Sequence, residues 1–200
     1  MKVKHLVGAF LCVLGCYACS SPKTEVQSPD GHIKMTLTVD ENGKPFYNVS
    51  VDDSLLIENS AMGFTAANGI ILAEGFQVKN TTFSSEDETW TQPWGENKKN
   101  RNHYNEMAVS LTNEDQVQLT LRFRVFDDGI GFRYEYTVPT VDSLLITDEL
   151  TTFRFHRDGT SWSIPASAET YELLYQQQPI SEVETANTPF TFKTADGVYG

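Results

Sequence analysis

Cysteine is scarce in this sequence, and its three residues (Cys12, Cys16 and Cys19) all lie within the first nineteen positions. The rest of the chain therefore offers no cysteine for a structural disulfide or for thiolate chemistry, so its fold depends on packing alone. Basic residues are also few, since 15 Lys and Arg stand against 27 Asp and Glu, which gives a net charge of -12. The absence of a basic stripe disfavours nucleic acid as a partner.

Motifs of several enzyme classes are missing as well. The sequence contains no nucleophile elbow, no phosphate-binding loop, no dinucleotide fingerprint and no zinc-ligand spacing. His32, His103 and His156 lie far apart, and each is interpreted as structural or exposed rather than as a metal ligand. The remaining composition, 40% hydrophobic and 12% aromatic, is sufficient for a folded core.

The first nineteen residues have the pattern of a signal peptide. A basic start precedes an apolar run over residues 6–15, which is too short to span a bilayer. Small residues and serines around Cys16 and Cys19 resemble the bacterial lipoprotein signal, in which the cysteine carries the lipid. We predict a lipoprotein-type signal peptide at 1–19, lipidation of Cys16 or Cys19, and a short tether at 20–28. The predicted location is the bacterial cell envelope, periplasm or outer membrane, with membrane contact only through the lipid; a cleaved secretion signal is the alternative.

The rest of the chain, 29–200, has the pattern of β-strands. Apolar residues occupy every odd position of Val117–Val125 and every even position of Ile130–Val138, so one face of each strand is predicted to lie in a core. Between these strands, Gly129 is predicted to take the positive φ of a tight turn. A second hairpin is predicted from 33–39 and 47–51. Further strands are expected at 76–83, 107–111 and 190–192, and a helical turn within 166–178.

A polar stretch from Ser84 to Arg101 interrupts the strand pattern and is predicted to be a long loop. It carries two of the three tryptophans, which favours an ordered, functional loop. Indole rings stack on sugar rings, and polar neighbours bond hydroxyl groups, so we predict carbohydrate binding here. The candidate residues are Trp90, Trp94, Glu96, Arg101, His103, Asn105 and Glu106. The alternative is that the tryptophans cover the edge of a sheet. Asp127 and Asp128 are interpreted as turn residues, with calcium binding as the alternative.

Four sequence blocks together resemble the N-terminal domain of glycoside hydrolase family 97, a family of bacterial α-glucosidases and α-galactosidases. The blocks are Trp90–Glu96, Asn102–Glu106, Phe123–Tyr134 and Thr188-Pro189, and the similarity extends over nearly all of the chain after the leader. The resemblance implies a large antiparallel β-sandwich, related to the galactose-mutarotase type, over 29–200, and the C-terminal part of this sandwich is expected to be absent from the sequence. In the family this sandwich precedes a catalytic (β/α)₈ barrel and a small C-terminal β-domain.

The resemblance also implies what this chain does not contain. Family carboxylates that act as acid and base lie on the barrel, so no catalytic residue is assigned, and the chain alone is expected not to hydrolyse glycosides. Calcium is expected in the longer parent, with one glutamate ligand just beyond the block Asp196–Tyr199. The strand that starts at Val198 and Tyr199 favours an N-terminal piece of a longer protein. The alternatives are a complete carbohydrate-binding or scaffold lipoprotein and a purely structural envelope protein.

Overall fold

A computed structural model describes residues 24–200, so the predicted leader lies outside the described residues. The described chain is all-β, as predicted, with two short 3-10 turns at Ala67–Gly69 and Ile180–Glu182. In chain order the strands are β1 (Glu25–Gln27), β2 (Ile33–Val39), β3 (Pro45–Val51), β4 (Ser54–Ala61), β5 (Phe64–Ala66), β6 (Ile71–Leu72), β7 (Gln77–Thr91), β8 (Lys99–Thr112), β9 (Gln118–Phe126), β10 (Gly129–Thr137), β11 (Ile146–Glu149), β12 (Gly159–Pro165), β13 (Gln176–Pro179) and β14 (Ala186–Thr194).

The first sheet has the order β1-β2-β3-β4, and it contains the predicted second hairpin. Gly43, in the turn between β2 and β3, takes a φ of +74°, which glycine adopts without a steric penalty. The tether predicted at 20–28 is wrong for the residues of the first strand. Glu25–Gln27 pairs with β2 and buries Val26, so these residues belong to the sheet rather than to the tether predicted at 20–28.

The second sheet has the order β10-β9-β8-β7, and β9 and β10 form the predicted long hairpin. Phe126 pairs with Gly129, so the reversal consists of Asp127 and Asp128. The prediction of a positive φ at Gly129 is wrong, because this glycine already belongs to the strand and the turn needs no left-handed residue there.

The hydrophobic core lies between the two four-stranded sheets. Odd-numbered residues of β8 and β9 point into it, among them Met107, Leu121 and Phe123, each at most 1% exposed. From the first sheet, Met35, Leu37 and Tyr47 face them and are equally buried. The alternation seen in the sequence therefore corresponds to one buried face per strand. This packed sandwich is the rigid base from which the candidate site projects.

Tyrosine hydroxyls bond the third sheet, β11-β5-β6, and the segment that follows β11 to this core. The Tyr47 hydroxyl donates to the Thr152 carbonyl at 2.8 Å, and the Tyr136 hydroxyl donates to the Leu72 carbonyl at 2.5 Å. The Tyr134 hydroxyl lies 2.7 Å from that of Thr151. Burial raises the pKa of all three tyrosines, which keeps each phenol in the protonated form that donates these bonds.

The fourth sheet, β13-β12-β14, lies at the C-terminal end of the described chain. The helical turn predicted within 166–178 is wrong, since residues 166–175 are irregular and Gln176–Pro179 forms β13. The apolar side chains of Tyr171, Leu174 and Tyr175 are exposed. A short amphipathic helix is stabilised mainly by burial of its apolar face, and here that burial is missing.

Candidate functional site

The predicted loop from Ser84 to Arg101 is wrong, because β7 and β8 pair continuously through most of it. Their register runs to Thr91 opposite Lys99, and only Gln92–Lys98 connects the two strands. Pairing of β8 with β9 ends at Tyr104 opposite Phe126. Beyond that pair the hairpin is two-stranded and projects from the sheet; we call residues 87–103 the ribbon. Its two faces are largely exposed, so its sequence lacks the alternation that marks a half-buried strand.

Polar pairs across the two strands hold the ribbon together. Arg101 donates two hydrogen bonds to the Asp87 carboxylate, from Nε at 2.7 Å and from Nη2 at 2.8 Å. The Asn102 amide donates to Glu88 at 2.9 Å. The bonds from Arg101 lower the pKa of Asp87, and the same pairing raises the pKa of Arg101. A bidentate arginine–carboxylate pair fixes side-chain geometry as well as charge, so the ribbon has a defined shape without a core beneath it.

The tip of the ribbon is a closed loop that presents a tryptophan. Gln92 donates its backbone N–H to the Lys98 carbonyl at 3.1 Å and its side-chain amide to the Asn97 carbonyl at 2.7 Å. Gly95 has a φ of +128°, and a Cβ there would lie 2.5 Å from the Gln92 amide nitrogen. The positive φ favours glycine at this position, whereas the flexible Gln92 side chain would only have to shift to make room for a Cβ. On this ordered loop, the Trp94 side chain is 85% exposed.

Strand alternation separates the seven candidate residues instead of grouping them. Trp90 and Glu106 point to one face of the hairpin, whereas Arg101, His103 and Asn105 point to the other. Trp94 and Glu96 lie in the tip loop. The pair of Trp90 with Asn100 is six residues along β8 from Glu106, which is about 20 Å at the usual strand rise. The seven side chains thus form no single cluster, and only Trp94 and Glu96 share the tip loop.

Glu106 belongs to an ionic network on the outer face of the second sheet. It is 7% exposed and accepts hydrogen bonds from Arg122 Nη1 at 2.5 Å and from Arg124 Nε at 2.8 Å. Arg122 also donates to Glu135 at 2.9 Å, and Arg133 donates to the same carboxylate at 2.8 Å. These contacts occupy Glu106 with protein partners, so its role in the structure is to anchor the base of the ribbon to β9.

Hydrogen bonds between oppositely charged groups set the direction of the pKa shifts in this network. Burial alone would raise the pKa of Glu106, but the hydrogen bonds from Arg124 and Arg122 outweigh it and hold the pKa below its usual value. The hydrogen bond from Arg122 lowers the pKa of Glu135 to about 2. Bonds from Glu135 and Glu106 raise the pKa of Arg122. Glu106, Glu135 and Arg122 therefore stay charged at neutral pH.

We expect the network to make the free energy of unfolding depend on pH in the acidic range, and replacement of Glu135 with glutamine tests this. A carboxylate whose pKa is lowered by folding stabilises the protein above its unfolded pKa, near 4.5, and loses that contribution as the pH falls towards about 2. The free energy of unfolding of the wild type should therefore fall more steeply over this range than that of Glu135→Gln. Urea denaturation at stepped pH measures it. Glu114→Gln, in an exposed turn, is the control, and equal slopes for wild type and Glu135→Gln would contradict the expectation.

Asn105 and His103 connect the base of the ribbon to the rest of the sandwich. The Asn105 amide donates to the Gln27 carbonyl of β1 at 2.9 Å. His103 Nδ1 is buried, has no hydrogen bond within the described chain and lies 3.5 Å from the Asp127 carboxylate. The other oxygen of Asp127 accepts the Asp30 N–H at 2.9 Å. Asp127 thus joins turns of the two sheets, a pairing of residues 97 positions apart that no local sequence signal indicates.

Among residues 24–200 no group of three or more His, Cys, Asp or Glu side chains is arranged to hold a metal ion. The same part of the chain contains no helix of the length and hydropathy that a membrane span requires.

The chain is similar to known proteins in both sequence and fold. Residues 26–200 match the family model described as Glycosyl-hydrolase 97 N-terminal. A retaining alpha-galactosidase of Bacteroides thetaiotaomicron is 28% identical over 133 residues, which are 66% of this chain and 19% of that protein. A Glycoside Hydrolase Family 97 enzyme from Pseudoalteromonas sp. strain K8, solved with panose, has a TM-score of 0.80 and 37% identity over 88% of this chain and 27% of its own. A beta-arabinopyranosidase shares the fold, with a TM-score of 0.78 at 24% identity over 88% of this chain and 30% of its own. The chain spans less than a third of the length of each.

Proposed function

The chain belongs to the glycoside hydrolase 97 N-terminal family, and on that basis we propose that it is the non-catalytic N-terminal β-sandwich of a secreted glycoside hydrolase. In this role it packs on a catalytic (β/α)₈ barrel and helps to wall the sugar pocket. The proposed substrates are α-glucosides or α-galactosides. One relative is named a retaining alpha-galactosidase and another was solved with panose, which supports this choice.

Exposed apolar side chains in the C-terminal part of the described chain carry the proposal. Leu174 is 89% exposed, its sequence neighbours Tyr171 and Tyr175 are exposed as well, and so are Phe153 and Tyr199 elsewhere in this part of the chain. Burying one such side chain in an interface contributes about 1.5–3 kcal/mol of favourable free energy. Exposed apolar side chains that group into a patch mark surfaces that another protein covers. The relatives are more than three times as long as this chain, so they contain enough polypeptide to supply that cover.

The experiment that tests the proposal combines an activity assay with a binding assay. We expect a chain starting at Ser20 not to hydrolyse aryl α-glucosides or α-galactosides, and to bind the part of the Pseudoalteromonas enzyme that lies outside the matched region. Leu174→Ser should weaken this complex at least tenfold in a sedimentation titration, whereas Glu114→Ser, in a charged turn, should leave it unchanged. Turnover by the chain alone that one carboxylate substitution abolishes would contradict the non-catalytic role.

A second candidate function is a stand-alone carbohydrate-binding or scaffold lipoprotein of the bacterial envelope. The ordered tip loop favours it, because Trp94 is exposed on a rigid loop beside Thr91 and Lys98. A titration with maltose and galactose, followed by tryptophan fluorescence with Trp94→Ala as the control, separates the two functions. In either case we propose export and a lipid anchor at Cys16 or Cys19. Calcium is proposed only for the longer hydrolase.

A further inference from the structure

We propose that the open edge of β7 is an interaction surface for a second copy of this chain, whose own β7 pairs with it in the antiparallel direction. The inference goes beyond the proposed function and does not depend on it. β7 is the outer strand of its sheet, and within the described residues it pairs only with β8. Its fifteen residues therefore offer a long edge to an added strand, a mode of association in which main-chain hydrogen bonds supply the affinity.

The pairing of β7 with β8 shows which backbone groups face the open edge. The N–H of Gln92 donates to the Lys98 carbonyl at 3.1 Å, in the register that the two strands keep from residue 80 onwards. Antiparallel partners alternate between hydrogen-bonded and non-hydrogen-bonded pairs, so the even-numbered residues from 80 to 90 bond to β8. The N–H and C=O groups of the odd-numbered residues from 81 to 91 point away from β8. Within residues 24–200 no backbone hydrogen bond reaches these groups.

The outer strand of the first sheet, β4, is covered in a way that β7 is not. Residues 152–156 run alongside β4 and bond to its backbone. The Glu58 N–H donates to the Arg154 carbonyl at 2.9 Å. The Thr152 N–H donates to the Ala61 carbonyl at 3.0 Å. An uncovered edge as long as β7 is a template for another strand, so we expect a partner to supply the hydrogen bonds that the described chain does not.

Two charges on the open edge identify a second copy as that partner. Among the odd-numbered residues of β7, only Lys79 and Asp87 are charged, and each lies four residues from Phe83. If two copies pair with Phe83 opposite itself, Lys79 of each copy lies beside Asp87 of the other. Odd residues must face odd residues, so the nearest alternative registers place Lys79 beside Ser85 or Thr89, which carry no charge. The edge is therefore complementary to itself in one register.

Asp87 is already bonded to Arg101, and it can still accept a bond from Lys79 of a second copy. A carboxylate has about four lone-pair sites, and the two bonds from Arg101 leave the others open. The Asp87 side chain is 55% exposed. Within the described residues the amino group of Lys79 bonds only to Gln77, at 3.2 Å. Both partners are thus accessible, and Arg101 holds the carboxylate in place.

The other charged residues of β7 agree with the antiparallel arrangement. Glu86 of one copy falls opposite Asn80 of the other, and Glu88 falls near Val78, so no carboxylates of the two copies meet. A parallel arrangement in register would align these carboxylates with their counterparts, and like charges directly opposite are destabilising. Phe83, which is 51% exposed in the single copy, would lie beside its counterpart at the two-fold axis. Both β7 edges are used in this contact, so the pairing stops at two copies.

Cysteine cross-linking tests the strand pairing and its register. A chain that starts at Ser20 has no cysteine and contains every described residue. In the proposed register Thr82 of one copy and Ser84 of the other form a non-hydrogen-bonded pair, with Cα atoms about 4.5 Å apart. We expect mild oxidation of an equimolar mixture of Thr82→Cys and Ser84→Cys to give a disulfide-linked dimer, identified by its mass. Glu88→Cys in place of Ser84→Cys is the out-of-register control, and it should give at most about a tenth of that yield.

Proline at position 85 tests the hydrogen bonds of the edge. The Ser85 N–H points to the open edge, and proline is tolerated where the N–H of an edge strand faces solvent. In sedimentation equilibrium we expect Ser85→Pro to raise the Kd of the dimer at least tenfold, whereas Ser85→Ala should leave it unchanged. Lys79→Glu should also raise the Kd at least tenfold, because it places two acidic side chains together. Lys98→Glu, an equal change of charge in the tip loop, should not.

Each outcome either supports the inference or overturns it. A wild-type chain that stays monomeric at every concentration overturns it, and so do equal yields from the two cysteine mixtures. A dimer with the same Kd for a folded Ser85→Pro variant also overturns it, because the contact must then lie elsewhere. Circular dichroism checks the β-fold of each variant, and if Ser85→Pro is unfolded, an unchanged Kd for Lys79→Glu decides against the inference. None of these results affects the activity and binding assays of the proposed function.

Discussion

Replacement of Phe123 with alanine is expected to lower the free energy of unfolding by about 3–5 kcal/mol. Phe123 is 1% exposed in the centre of the second sheet. Its backbone pairs with Met107 on one side and Phe132 on the other, and its ring centroid lies 6.0 Å from that of Phe132. The substitution leaves a cavity that neighbouring strands cannot fill without bending. Because whole domains have only about 5–15 kcal/mol of stability, urea denaturation should show a large shift of the midpoint.

Phe83 provides a matched control for this substitution. It is also a strand phenylalanine, but it lies on the edge strand β7 and is 51% exposed. Phe83→Ala should therefore cost less than about 1 kcal/mol. If the two substitutions proved equally destabilising, the core would not lie between the two four-stranded sheets.

Replacement of Glu106 with alanine is expected to cost about 3 kcal/mol of unfolding free energy. The substitution removes the acceptor of two hydrogen bonds and leaves Arg122 and Arg124 with unpaired donors beside β8. Arg124 retains part of its stabilisation, since its guanidinium lies 4.4 Å from the Tyr104 ring centroid. The measurement is again urea denaturation, at neutral pH and at two salt concentrations, because a buried pair is screened less than an exposed one.

Glu86→Ala is the control for Glu106. Glu86 lies on the same face, opposite Tyr104 on the neighbouring strand, but it is exposed. Its replacement should change stability by less than about 0.5 kcal/mol. A loss below 1 kcal/mol for Glu106→Ala, or one that disappears in high salt, would show that the network is a set of ordinary surface pairs.

Alternation of apolar residues was enough to predict the hairpins that enclose the core. Each of those strands buries one face, so burial repeats every two residues in the sequence, as in Val117–Val125. The ribbon has no buried face, and its pairing depends on polar contacts such as Arg101 with Asp87. Such contacts leave no periodic signal. A sequence pattern of this kind therefore reports burial rather than strand pairing itself.

The candidate site was harder to predict for a related reason. Trp90, Arg101 and Glu106 are close in sequence, and a flexible loop would let them converge on one ligand. A paired hairpin instead fixes odd and even residues on opposite faces, and it places Trp90 about 20 Å from Glu106 along the strand. The partners of Glu106 come from β9, 16 and 18 residues away. Trp90, Trp94, Glu96 and Arg101 are exposed, as the prediction required, but among them only Trp94 and Glu96 share the tip loop.

The strand order of the two main sheets has a consequence for how the chain folds. Every pairing in β1-β2-β3-β4 and in β10-β9-β8-β7 joins strands that are neighbours in the sequence. Each sheet can therefore assemble by successive closure of short segments, without the entropic cost of bringing remote strands together. The pairing of β11 with β5, which spans about eighty residues, closes a much longer loop than any pairing within these two sheets. We expect two separately nucleated meanders that collapse on one another, with the small third sheet completed last.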